Sequence, residues 1–272
     1  MLVNRPNITE KNYRKLTVRI GQTGFAFCTI DTLNDTVLSM KQVAFAEQQD
    51  SNADRQFENA FLQHSELLDK YDEIAVTHEN GLNTFVPKAL FDENFLGSYL
   101  QYDVKVFESD ALAFDELPTY EMNNVYVPFA TINDFLVNKF GNFDYRHATS
   151  VLVSRLLEIS KNNDEKQVFA HFGDKRFELV IVQNQKLLLF NSFEYKTKED
   201  FIYYLLFAAE QLSLNPEFFK LQLLGDVTQD SEFYQVAYKY VRNVSLLDVS
   251  KLQLRNEFSE ADNRKHYILF QS

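Results

Sequence analysis

Residues 16–31 read LTVRIGQTGFAFCTID, two apolar stretches joined by Gly21-Gln22-Thr23-Gly24. A glycine-framed turn can offer successive backbone N–H groups to a phosphate, because no Cβ blocks its approach. A second turn opened by glycine, Gly173-Asp174, lies within VFAHFGDKRFELVIV at 168–182, and Gly225-Asp226 closes the run LQLLGD. The chain has seven glycines, and four of them stand at these three places. Gly21, Gln22, Thr23, Gly173 and Asp174 are therefore the turn residues expected to meet an anionic cofactor if one binds. The bland alternative is that the glycines serve tight hairpins, which often need a positive φ.

Other chemistry is thinly represented. The histidines at 64, 78, 147, 171 and 266 include no pair at metal-ligand spacing, and the one cysteine excludes an internal disulfide. Cys28 sits in the apolar stretch Phe25-Ala26-Phe27-Cys28, which predicts a buried, inert thiol. No Walker, dinucleotide or Gly-x-Ser-x-Gly pattern occurs. Asn243-Val244-Ser245 matches a glycosylation acceptor, which carries no weight in a cytosolic chain.

A formal charge of −12 without a basic cluster excludes a nucleic-acid partner at the level of expectation. No apolar stretch approaches the about 20 residues of a membrane span, and the first residues lack the apolar core of a secretion signal. Together with the cysteine count, this predicts a cytoplasmic protein without membrane insertion. With 26 Phe and no Trp, the cores should be built on phenyl rings.

The elements that would hold the glycine turns recur. Alternating apolar residues predict a hairpin over 16–30 and a third strand over 36–45. A helical apolar stripe runs over 53–69, and a buried strand over 71–77 ends at Glu79-Asn80-Gly81. The same β-β-β-α-β order returns at 168–182, 186–195, 198–214 and 221–224. Gly21 and Gly173, like Phe25 and Phe177, stand 152 residues apart (173 − 21). So long a period points to duplicated domains, since solenoid repeats run about 20–50 residues. The expected halves are 1–125 and 126–272. Between the repeats, a strand over 124–128 and helices over 131–140 and 150–161 are predicted, with the acidic, Pro118-containing stretch 116–124 as a hinge.

This hairpin-led unit resembles the ribonuclease-H-like fold, and its tandem duplication resembles the actin-like ATPase architecture. The second half, 124–226, is similar to bacterial pilus-assembly and secretion-platform members of that superfamily. The whole chain most resembles an uncharacterised bacterial family of unknown function with actin-like architecture. The resemblance implies an α/β fold of two tandem ribonuclease-H-like halves, with ATP and magnesium between the paired turns in active relatives and Gly225 and Asp226 at the place of their nucleotide-base turn, here with a single glycine. Those relatives place an acidic residue two positions before the turn glycine, to organise the cation and its waters. Here Arg19 and His171 stand at those positions. A guanidinium repels a divalent cation, and a strand-end arginine is most simply solvated or ion-paired. The implied role is a non-catalytic scaffold with a degenerate cleft and no cofactor. The alternative is an ATP-binding switch with substituted residues.

A protein partner or self-association is expected. FIYYLLFAAEQL at 201–212 is apolar on nearly every helical face, so its second side needs cover, by default the other half or the middle segment. Tyr234, Tyr238 and Tyr240 would extend an aromatic surface.

Overall fold

The first hairpin forms as its alternation dictates: β1 (Arg14–Gly21) and β2 (Gly24–Asp31) pair antiparallel across the two-residue turn Gln22-Thr23. They belong to a computed structural model that describes residues 11–46, 53–102, 104–173, 175–250 and 254–272. Then follow β3 (Thr36–Ala44), α1 (Ala53–Leu62) and β4 (Glu73–Glu79). The middle of the chain holds β5 (Asn83–Pro87), α2 (Leu96–Leu100), β6 (Ala113–Leu117), β7 (Met122–Tyr126), α3 (Ala130–Phe140), β8 (Asp144–His147) and α4 (Ala148–Ile159). The repeat consists of β9 (Gln167–Phe172), β10 (Arg176–Gln183), β11 (Lys186–Glu194), α5 (Lys198–Gln211) and β12 (Lys220–Gly225). It is completed by α6 (Glu232–Tyr240), β13 (Asn243–Leu246), α7 (Glu260–Lys265) and α8 (Tyr267–Gln271).

Two five-stranded sheets result, in the orders β3-β2-β1-β4-β8 and β11-β10-β9-β12-β13. The orders superpose element for element, so the duplication read from the spacing is a duplication of topology. In each half the strand after the helix returns parallel to the first strand, β4 beside β1 and β12 beside β9. That parallel return requires the α-helical crossover which the sequence shows between the third and fourth strands.

Both sheets are buried on both faces, as doubly covered sheets must be. One face of the first sheet packs Phe25 and Phe27 against Phe57 and Phe61 of α1 and Ile132 and Leu136 of α3. Its other face meets Leu269 and Phe270 of α8. The second sheet packs Phe172 and Phe177 against Phe201 and Leu205 of α5, while Phe169 and Val180 meet α4 and Ile268. Helices α4 and α8 thus lie between the halves. Each fully buried phenyl or leucyl side chain contributes about 1.5–3 kcal/mol relative to exposure.

Several sequence expectations change. The helix predicted over 53–69 ends at Leu62, and Ser65–Leu68 forms a 3-10 turn. The stretch 116–124 is no hinge. It closes a β6–β7 hairpin, with Pro118 opening a 3-10 turn and Glu121 at φ 52°, inside a separate three-stranded sheet β5-β7-β6. That small sheet is fastened by a buried polar network. Asp115 accepts hydrogen bonds from Tyr126 Oη (3.0 Å), the His147 backbone N–H (2.8 Å) and Ser150 Oγ (2.5 Å). The apolar helix α5 is covered on its second side partly by α6, and Tyr203 and Phe207 stay 62% and 50% exposed. Neither the other half nor the middle segment covers those two rings.

Candidate functional site

The two glycine turns face each other across a cleft of about 510 Å³ whose lining includes Arg19, Gly21, Gln22, Thr23, Glu79, Gly173, Asp226 and Lys265. Five of the seven sequence-selected residues therefore meet at one place. Gly225 sits one residue before Asp226 with its backbone against β9, and Asp174 lies outside the described residues.

The turns are positioned by strand pairing. Gly21 ends β1 in register with Glu79, the last residue of β4, so pairing delivers that carboxylate to the first turn. It also reaches the second. A Cβ added to Gly21 would lie 3.7 Å from Glu79 Oε2, and one added to Gly173 would lie 3.7 Å from Glu79 Oε1. Arg19 Nε stands 3.5 Å from Oε2, and the Arg19 side chain is 13% exposed, so the arginine is ion-paired rather than solvated.

The halves touch here through more than Glu79. Gln22 Oε1 accepts a hydrogen bond from Arg176 Nη2 at 3.4 Å. A Cβ on Gly81 would come within 2.6 Å of Arg176 Nη1, so that glycine leaves room for the guanidinium. Asp226 pairs with Lys265 at 3.0 Å, and its backbone N–H donates to Phe172 O at 2.9 Å. The Thr23 carbonyl accepts from the Phe45 N–H at 2.8 Å. His266 is held down to about 4 by burial, with the Arg19 and Lys265 cations adding to the effect, so it faces this cluster as a neutral ring.

The second substituted position is buried outright. His171 Nδ1 lies 2.7 Å from Glu178 Oε2, and both side chains are almost fully enclosed. Magnesium coordination needs free hard oxygen donors. The carboxylates nearest the turns, Glu79 and Asp226, are each paired to a cation, and the positions two residues before the turn glycines carry a guanidinium and an imidazole. This donor set does not fit a magnesium ion. Among the described residues no group of three His, Cys, Asp or Glu side chains could hold a metal.

The turn glycines differ from the sequence expectation. Gly21, Gly24 and Gly173 do not adopt a positive φ. Gly24 is required for another reason, since a Cβ there would lie 2.3 Å from Val43 O of β3. Gly225 does have the left-handed backbone (φ 86°), and a Cβ would meet Phe172 O at 2.2 Å. For Gly21 and Gly173 the tightest contact is 3.5 Å, so neither backbone conformation nor crowding excludes alanine.

Glu79, Arg176 and Lys265 were not singled out by sequence. Glu79 was readable once β4 is laid parallel to β1 in register, because the last residue of β4 then falls beside the turn. Lys265 lies in a C-terminal segment whose short helices carry little periodic signal. Cys28 is buried, and burial pushes its thiol up to about 12, as expected of an inert core cysteine.

A protein from Bacteroides thetaiotaomicron, described as having an actin-like ATPase fold and unknown function, superposes with a TM-score of 0.82. It is 20% identical, over 96% of this chain and 97% of that one. A structure of the PilM-PilN type IV pilus biogenesis complex superposes with a TM-score of 0.57 at 11% identity, covering 94% and 96%. Both likenesses concern the fold, which is the actin-like ATPase fold. No curated protein matches the chain. The family model for a protein of unknown function (DUF3822) matches residues 4–244, and the chain belongs to that family.

Proposed function

We propose that this protein is a non-catalytic interaction module in which an internal ion pair occupies the point where the turns of two actin-like halves meet. One observation carries the reading: the Glu79 carboxylate sits between both turns, against Gly21 and Gly173, and is neutralised by Arg19. An incoming phosphate would meet a resident anion where the turns offer their backbone. It would have to displace a part-buried ion pair, and like charges at such a distance repel by about 1–4 kcal/mol, depending on local screening. Arg19 and His171 support the same reading by removing both carboxylates that would organise a cation.

Partner binding is supported by the likeness to a structure of PilM with PilN, a complex of a protein with this fold. A cytoplasmic setting is part of the proposal and rests on the single, buried cysteine. Among the described residues no helix is long and apolar enough to cross a membrane.

The second reading, an ATP-binding switch, is favoured by the cleft volume and by Lys175 and Lys265 on its lining. Isothermal titration with ATP and Mg²⁺ separates the two. The expected result is no heat of binding up to millimolar nucleotide. Micromolar affinity or measurable turnover would overturn the non-catalytic reading.

A further inference from the structure

Half of the chain's net negative charge belongs to one short stretch. Residues 88–121 hold eight acids and two lysines, a net of −6 (2 − 8) out of −12, in 34 of the 272 positions. Among the described residues none of these carboxylates has an ion-pair partner. The stretch runs from the end of β5 to the start of β7, so it belongs to the small sheet. One face of that sheet is fastened to α4, where Asn124 Nδ2 donates to Thr149 Oγ1 and Ser150 Oγ at 3.0 and 2.8 Å. The segment 88–112 covers another side as an outer layer, packing Phe91, Leu96, Leu100 and Leu112 onto Val86 and Val125. Lys15, Arg146 and Arg155 share a groove with Glu116 beside β6, so the acids in excess are those of the outer layer: Asp92, Glu93, Glu108 and Asp110.

The same layer leaves large apolar side chains bare. Leu90, Phe95 and Phe107 are more than half exposed, and Tyr102 is 90% exposed. The acids are built into the turns that carry these side chains. Asp92 O accepts from the Phe95 N–H at 3.0 Å, and the Asp92 N–H donates to Tyr99 Oη, which donates in turn to Leu90 O at 2.7 Å. Asp110 Oδ2 accepts from the Phe107 N–H at 2.9 Å. Lys105 Nζ stands 4.9 Å from the centre of the Phe107 ring, so the layer already holds one cation over an aromatic face.

We infer that this outer layer is a docking surface for a basic, apolar segment of another protein. Charge complementarity selects the occupant. A neutral apolar partner would bury the carboxylates without cations, which costs more than the covered rings return. Nucleic acid and anionic lipid are repelled, and two copies meeting through this layer would set −6 against −6. A segment of Lys or Arg with apolar anchors satisfies both features, its cations on the acids and ring faces and its anchors on Leu90, Phe95, Tyr102 and Phe107. This deepens the interaction reading above by naming the surface and the partner's chemistry, and it rests on that reading.

Fluorescence anisotropy of the full chain with a synthetic amphipathic peptide of lysine and leucine tests it. The peptide should bind with an affinity that falls as salt rises. A glutamate–leucine peptide of the same pattern and an oligolysine of the same charge should each bind about tenfold more weakly. Glu93→Lys with Glu108→Lys, both on exposed positions of the layer, should weaken binding about tenfold. Glu210→Lys with Glu217→Lys makes the same charge change on exposed positions of the second half and should stay within about threefold of the wild type. Tyr102→Ser should also cost about tenfold, with circular dichroism and melting checking that each variant folds. Bound peptide should slow hydrogen exchange within 88–112. No binding, equal losses in the two charge variants, oligolysine binding as tightly, or protection elsewhere overturns the inference. A chain that binds neither peptide nor nucleotide leaves the non-catalytic reading standing, whereas one that binds the peptide at this layer and also ATP overturns that reading alone.

Discussion

Arg19 Nε lies 3.5 Å from Glu79 Oε2, joining the strand position two residues before the first turn glycine to an acid delivered by the neighbouring parallel strand. Glu79→Ala should cost about 1 kcal/mol of stability, since the pair is only part-buried, and a double-mutant cycle with Arg19→Ala should return a coupling of similar size. Glu79→Ala should also acquire stabilisation by inorganic phosphate that the wild type lacks, read as a concentration-dependent rise in melting temperature. Equal phosphate responses in both proteins would remove Glu79 from the role assigned to it.

Four glycines near the cleft should divide into two classes under alanine substitution. Gly24→Ala and Gly225→Ala place a Cβ within 2.3 Å and 2.2 Å of backbone oxygens and should cost about 1–3 kcal/mol or more. Gly21→Ala and Gly173→Ala meet nothing closer than 3.5 Å and should fall within about 1 kcal/mol of the wild type. Urea denaturation of the four variants checks the division. A large loss at Gly21 or Gly173 would mean that the turns are strained in a way their contacts do not reveal.

Asp115 fastens the small sheet to the first half by accepting from Tyr126, His147 and Ser150. Burial raises its carboxyl pKa, and the hydrogen bonds from Ser150, His147 and Tyr126 counter that rise. Asp115→Ala should leave these donors unpaired in a closed interior and cost about 3–5 kcal/mol. Hydrogen exchange should show β5, β6 and β7 losing protection before the two large sheets. Loss spread evenly over all three sheets would argue against a locally fastened unit.

Three histidines should make the protein acid-labile. Burial lowers His78 to about 4, His147 to about 3 and His266 to about 4. Each is neutral when folded but takes a proton near pH 6.5 when unfolded. The folded state therefore binds fewer protons across this window. Its stability is full above about pH 6.5 and falls with decreasing pH towards 4, by up to about 1.4 kcal/mol per pH unit for each histidine. Asp115, with its raised pKa, works in the opposite direction and softens the loss at the acid end. Denaturation midpoints between pH 7.5 and 5 should decline, and less steeply in His266→Phe. A flat profile would contradict neutral folded histidines.

The sequence by itself determined the repeated β-β-β-α-β units and the pairing of Gly21 with Gly173. It also placed Arg19 and His171 two positions before those glycines. All of these follow from alternation, helical spacing and turn residues within a few positions of one another, and local backbone preference is written locally. It did not reveal the small sheet, because β5 and β6 are five residues long and their pairing with β7 spans up to forty-three positions, from Asn83 to Tyr126. Nor did it place Glu79. A turn-closing glutamate becomes the resident anion of the cleft only when β4 lies in register with β1 and the second half brings Gly173 to the same point. The exposure of Tyr203 and Phe207 was likewise settled by tertiary packing. An all-round apolar helix states that cover is needed, but only the arrangement of the neighbouring elements decides which rings receive it.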